Sequence, residues 1–417
     1  MNNNDKYDIS QLYIEAIKNN NINIIISLHK NKYPWSTDMC KSAAMYGHLN
    51  CLKYLHQNGC PWDKYTCHNA AANGHLSCLK YAHKNKCPWN EWTCIYAATN
   101  GHIECLKYLH ENNCPCSEET FLSAAYKGHM DCLKYLHKNK SFWNNKTCIV
   151  AAETGNINCL KYVHENGCSW DEKTCSTAAW KGNIDCLKYA HINGCPWSTE
   201  TCEAAAESGH LECLKYAHEN GCPWNEKTCS NAAKNGHIEC LKYAHQNGCP
   251  WNELTCENAA KFNNLECIKF AHENGCPWYE ETCIIAAKYG HLECLKYAHE
   301  NGCPWSSETC SNATDNNHLD CLKYAHENRC PWSTDTCSNA AKNNYLNCLN
   351  YAYENGCPYP KELLSTIIKN ILIPKWRASV KIRPYIIHWI EDTAKTLYAE
   401  NGRGRKRDYD TFIKDFQ

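Results

Sequence analysis

Three cysteines and a histidine recur every 27 residues along most of this chain, and such a set has the composition of a zinc site. Cys60, Cys67, Cys78 and His83 form one example; Cys222, Cys229, Cys240 and His245 form another. Of the 35 cysteines, all but Cys116 occupy these three positions. Substitutions argue against a metal cage, because Phe121 takes the second cysteine position of one repeat and Ser141 the first of another. A four-ligand site has no use for phenylalanine, and no Cys-x-x-Cys pair is present to hold two thiolates on one ion. A thiol nucleophile with a histidine base fares no better, since catalysis needs one organised site and a dozen near-copies are architecture. No enzymatic activity, metal or cofactor is therefore expected. The N-terminus, Met1-Asn2-Asn3-Asn4, carries no export signal, so the thiols are read as reduced, small, buried apolar groups. The rival from this chemistry is a metal-storing or thiol-buffering protein.

The period that places these residues is visible in Cys-Pro-Trp, which starts at Cys60, Cys87, Cys195, Cys222, Cys249, Cys276, Cys303 and Cys330. The frame continues through Tyr33-Pro34-Trp35, Ser141-Phe142-Trp143, Cys168-Ser169-Trp170 and Cys357-Pro358-Tyr359 without insertion or deletion. A period of this length means stacked helical or mixed units, none of which buries its apolar face alone. Ser36, Asp63, Asn90, Asp171 and their equivalents follow the Trp position as helix N-caps, with Tyr279 the exception. Inward positions follow at i, i+3, i+4, as in Cys229, Ala232, Ala233, and the paired alanines allow close helix approach. Glycines such as Gly47, Gly101 and Gly236 end this first helix, and the His or Asn after them is expected to start the second. In the second helix, Cys213, Leu214, Tyr216 and Ala217 span an arc wide enough to require packing on two sides. Residues 1–32 read as a degenerate capping repeat, 33–356 as twelve full repeats, and 357–417 as a C-terminal cap with a basic tail.

A formal charge of −1 on 417 residues does not favour a nucleic-acid or membrane-surface partner. The ladder Lys53, Lys80, Lys107, Lys134 has a carboxylate three residues before many of its members, such as Glu104 and Asp131, which points to solvated ion pairs. The longest aliphatic runs, Ile24-Ile25-Ile26 and Ile371-Leu372-Ile373, are too short to span a bilayer. The expectation is a cytoplasmic monomer. Arg403, Arg405, Lys406 and Arg407 form the one dense basic cluster and would serve as a nuclear address if they are read by import machinery.

The stretch Ala232-Ala233-Lys234-Asn235-Gly236-His237-Ile238-Glu239-Cys240-Leu241-Lys242-Tyr243-Ala244-His245-Gln246-Asn247-Gly248-Cys249 resembles the ankyrin repeat, with both glycines at the family's spacing. Cys249 and Trp251 stand where the family carries Ala and Val, and its Thr-Pro-Leu-His signature is reduced to Thr255-Cys256. The resemblance implies an all-α, ankyrin-like solenoid; a repeat six residues short of the usual 33 implies shortened or absent β-hairpins. Short cysteine-rich arrays of this kind are similar to ankyrin proteins of large DNA viruses of amoebae. The resemblance also implies a protein–protein interaction scaffold. Pro360-Lys361-Glu362-Leu363-Leu364, with Ile367, Ile368 and Ile371, resembles the opening of an F-box and implies the alternative of a ubiquitin-ligase substrate adaptor.

Positions fixed by stacking cannot also encode a partner, so binding is sought where repeats differ. On the first helix these are the equivalents of 38, 42, 45 and 46, which lie on one face opposite the Cys-Ala-Ala face. Tyr46, Tyr65, Trp92, Tyr96, Tyr126 and Trp180 fall there, followed by Leu254, Phe262, Ile285 and Tyr289. Aromatic residues are the usual anchors of protein interfaces, and a partner protein is expected on this stripe.

Overall fold

The computed structural model describes residues 3–139 and 144–360, with side chains from residue 9 onward. Ser141-Phe142-Trp143, the F-box-like residues from Lys361 and the basic cluster from Arg403 to Arg407 lie outside the described residues. The described residues form helices and turns, with no strand. Contacts divide the chain into two compact units, one ending at Trp224 and one beginning at Asn225.

Within each unit the repeat is a pair of short helices, nine residues each in Lys64–Ala72 with Leu76–Lys84 and in Glu280–Lys288 with Leu292–Glu300. First helices pack on the first helices of the neighbouring repeats, and second helices form a second, more loosely joined layer. The short repeat leaves no residues for a hairpin, so an extended link such as 60–63 joins one pair to the next. Ahead of the first full repeat, Asn3–Lys18 and Ile22–Lys30 form another pair, with Tyr13, Ile17 and Ile25 fully buried.

Side-chain oxygens close the N-termini of the first helices as the sequence suggests. Asp63 accepts from the Tyr65 amide at 3.0 Å, Asn225 from Lys227 at 3.0 Å and Asn252 from Leu254 at 3.2 Å. Ser117, Ser198 and Ser306 sit at the same position without that bond, as does Tyr279. The lattice cysteines and both alanines of each pair are buried; Cys229, Ala232 and Ala233 have no exposed surface.

Residues after the first-helix glycine do not behave as expected. His75, His102 and His129 occupy the N-cap position of the second helix, yet none caps it with its side chain. Each imidazole instead reaches back one repeat: His75 Nε2 lies 3.0 Å from the Met45 carbonyl oxygen, and His129 Nε2 3.0 Å from that of Thr99. The ring thereby satisfies an orphan carbonyl at the C-terminus of the preceding first helix. Asn183 and Asn264 do the same through Nδ2, while Asn156 keeps the expected local role by accepting from the Cys159 amide at 3.0 Å.

The cysteines also do more than fill space. The thiol before each proline donates to the carbonyl of the preceding repeat's N-cap residue: Cys87 to Asp63 at 3.2 Å, Cys195 to Asp171 at 3.2 Å and Cys303 to Tyr279 at 3.2 Å. The cysteines of one sequence set engage different junctions: Cys60 donates to the Ser36 carbonyl, whereas Cys67 donates to that of Cys87. Among the described residues no group of three or more His, Cys, Asp or Glu side chains is arranged to hold a metal.

Tryptophan of the Cys-Pro-Trp motif completes the joints. The His56 ring stacks on Trp62 with centroids 3.8 Å apart, and its Nδ1 lies 3.0 Å from the hydroxyl of Tyr81 in the next repeat. The pattern returns at His83, Trp89 and Tyr108, at His191, Trp197 and Tyr216, and at His299, Trp305 and Tyr324. Burial raises the Tyr81, Tyr108 and Tyr216 hydroxyls above the ordinary tyrosine range, so the phenols stay protonated beside the imidazoles. At His245 the partner is Phe270, and the edge-on ring contact at 5.9 Å persists without a hydroxyl.

The burial of several imidazoles sets a pH dependence. Burial lowers the pKa of His56, His68, His75, His83 and His318 below the ordinary histidine value. The unfolded chain takes up these protons at about pH 6.5, the ordinary value of a free histidine, before the folded chain does. Stability from these groups is therefore complete above about pH 6.5 and declines as the pH falls below it toward their lower folded-state values. Melting temperature followed from pH 7.5 to pH 5.5 is expected to drop; a flat or rising profile would contradict the buried neutral ladder.

Candidate binding face of the first helices

The stacking chemistry consumes the Cys-Ala-Ala face of each first helix and leaves the opposite face to solvent. Tyr65, Trp92, Tyr96, Tyr126 and Trp180 are exposed on it in the first compact unit, with Trp92 at 49% of its full surface. Leu254, Phe262 and Tyr289 are exposed in the second, whereas Tyr46 and Ile285 are half-buried. Between residues 33 and 360, Ile192 is the one large apolar side chain on a second helix among those described as exposed.

These rings form separate groups, not one continuous stripe. Tyr65, His68, Tyr96 and Trp92 make a four-ring cluster, with centroid separations of 5.4 Å, 5.6 Å and 6.1 Å along that order. Tyr126 carries Lys127 over its ring at 5.3 Å, and Trp180 carries Lys181 at 4.4 Å. Tyr46 lies 6.3 Å from the ring of His48. In the second unit Lys261 lies 5.6 Å from both Phe262 and Tyr289, bridging the two rings by cation–π contact.

His68 is the member of the first cluster that periodicity does not reveal. It sits where neighbouring repeats carry Lys41 or Ile95, and only its type distinguishes it in the sequence. The residue is 4% exposed; its Nε2 lies 2.9 Å from Asn90 Oδ1, which also accepts the Trp92 amide at 3.2 Å. Asn90 Oδ1 can only accept, so Nε2 carries the proton and Nδ1 is a buried acceptor without a partner. The arrangement gathers Tyr65, Trp92 and Tyr96 around a buried imidazole.

The second unit offers a groove of about 380 Å³ between the first helices Glu253–Lys261, Glu280–Lys288 and Ser307–Asp315. Ile284, Ile285 and Tyr289 supply its apolar wall, and Lys261, Glu281, Lys288 and Glu308 its charged rim. Nearby Glu257 has its pKa raised, first by burial and then by the like charges of Glu281 and Glu253. On the second helices the lysine ladder is engaged locally: Lys107 pairs with Glu104 at 2.7 Å, Lys242 with Glu239 at 3.0 Å and Lys296 with Glu293 at 2.8 Å.

Comparison with known proteins bears on the fold that carries this face. A family profile described as ankyrin repeats in three copies matches residues 40–120 and 95–174. Another, described as ankyrin repeats in many copies, matches residues 202–244 and 229–272. No curated protein matches the chain. Among solved structures, the human ASB11 ankyrin repeat domain is similar at 20% identity over 38% of this chain and 84% of its own, with a TM-score of 0.35. No helix among the described residues is long and apolar enough to cross a membrane.

Proposed function

From the ankyrin repeats matched over residues 40–174 and 202–272, we propose that this chain is a protein–protein interaction scaffold that holds its partner on the outward face of its first helices. One observation carries the reading. Large aromatic side chains lie exposed on the positions that vary between repeats, while the repeating positions are committed to the joints. An exposed tryptophan beside two tyrosines, held around His68, has the composition of a binding hot spot. Residues 1–32 and 357–417 are proposed as the ends of the array, and the cytoplasm as its place of action.

The test is the double substitution Trp92→Ala and Tyr96→Ala. Both side chains are partly exposed, so the helical signal should persist, while capture of the partner should weaken by about 2 kcal/mol or more for each anchor. Lys215→Ala on the second helix, whose amine meets Glu212 at 3.3 Å, is the control and should change little. Undiminished capture by a folded double mutant would remove the first-helix face of this unit from the interface.

A further inference from the structure

Cys116 departs from the lattice. It stands two residues after Cys114, where other repeats place the tryptophan of the joint, and His110 keeps its contact with Tyr135 at 5.7 Å without that stacking partner. Among the described cysteines it alone is not buried. Its sulfur lies 2.7 Å from that of Cys94, which is fully buried on the first helix Glu91–Thr99. We propose that Cys116 and Cys94 form an oxidisable dithiol, a modification site at which a hydroperoxide converts the two thiols to a disulfide.

Each member has a distinct role. Cys116 is within reach of solvent, and its hydrogen bond with Cys94 lowers its pKa, which favours the thiolate as attacking group. That thiolate attacks one peroxide oxygen: a sulfur–oxygen bond forms, the oxygen–oxygen bond breaks, and the departing oxygen leaves as an alcohol or water with a proton. Cys94 then attacks the sulfenic sulfur of Cys116, so that a sulfur–sulfur bond forms, the sulfur–oxygen bond breaks and water leaves with the Cys94 proton. In sum, two thiols and one hydroperoxide give a disulfide, an alcohol and water. Contacts with Cys114 and Cys116, together with burial, raise the Cys94 pKa, which suits a resolving thiol that stays protonated until its partner is oxidised.

Sulfur contact alone does not single out the pair, and the structure contains its own comparison. Cys148 and Cys168 lie 2.9 Å apart, but both are buried, at 0% and 3% exposure, and no oxidant reaches them while the repeats are stacked. The bond at Cys116 would tie the helix bearing Trp92 and Tyr96 to the residue preceding Ser117, the N-cap of the helix bearing Tyr126.

The experiment uses the full chain, reduced, exposed to hydrogen peroxide, quenched with an alkylating agent and mapped by peptide mass spectrometry. The expected first event is loss of two free thiols as a Cys94–Cys116 crosslink, reversed by a dithiol reductant. In Cys94→Ser the sulfenic acid at Cys116 should accumulate and react with a cyclic diketone trap. In Cys116→Trp, which restores the residue of the other repeats, the early phase of thiol loss should slow by about tenfold or more. A first crosslink lacking Cys116, such as Cys148–Cys168 or Cys94–Cys114, would overturn the proposal. So would sulfinic acid at Cys116 without a crosslink, or a folded Cys116→Trp variant that oxidises at the native rate. The mapping on the native chain stands without either variant.

Discussion

Ala259→Asp is expected to unfold the middle of the second compact unit. Ala259 has no exposed surface on the helix Glu253–Lys261, which packs against Glu226–Lys234 on one side and Glu280–Lys288 on the other. A carboxylate there would be shut off from water, and an unpaired buried charge costs about 3–5 kcal/mol. Because each repeat is coupled only to its neighbours, the loss should spread outward from this helix and leave distant repeats protected. Hydrogen exchange read repeat by repeat would show fast exchange in 249–302 and slower exchange in 33–110. Uniform protection equal to that of the native chain would mean that the paired alanines face solvent and that the two helix faces have been exchanged.

Gly101→Ala is expected to be nearly as damaging, for a reason that needs two repeats to see. Gly101 has φ +74°, a left-handed conformation that costs an alanine about 1–2 kcal/mol. A Cβ there would also lie 2.5 Å from His129 Nδ1, so the imidazole that bonds the Thr99 carbonyl must move. Overpacking of this kind adds about 1–3 kcal/mol. Gly194→Ala separates the two effects, since its φ is +80° and nothing lies within 4 Å of its added Cβ. The difference between the two variants in denaturant midpoint measures the inter-repeat contact of His129. Equal destabilisation would show that the contact contributes nothing. The chain itself carries asparagine at the equivalent position 263, with φ +61°, and there His291 turns Nδ1 to the Ala260 carbonyl at 2.8 Å.

Much of this architecture is legible from local rules. A strict period, N-caps such as Asp63 and Asn252, glycines that require positive φ and the i, i+3, i+4 placement of Cys229, Ala232 and Ala233 are each properties of one repeat read alone. They suffice for the helix pair, the missing hairpin and the outward position of Trp92 and Tyr96. The exposed aromatics were also legible as positions, because variation among otherwise matching repeats marks the face that stacking leaves free.

Relations between repeats were not legible in the same way. His75 looks like the start of its own helix, and only the stack shows its ring on the Met45 carbonyl of the repeat before. Cysteine looks like a small apolar filler until Cys87 is found donating to Asp63, a bond between residues 24 apart. Cys116 reads as a lapse from the pattern, and the fold brings it to Cys94 across 22 residues. His68 and the separate grouping of the exposed rings belong to the same class. Periodicity determined which residues face inward, because facing depends on backbone dihedrals within one helix. The tertiary structure alone decided which inward and half-buried groups meet, because the partner of each lies on another helix and the distance between them is set by how the pairs pack.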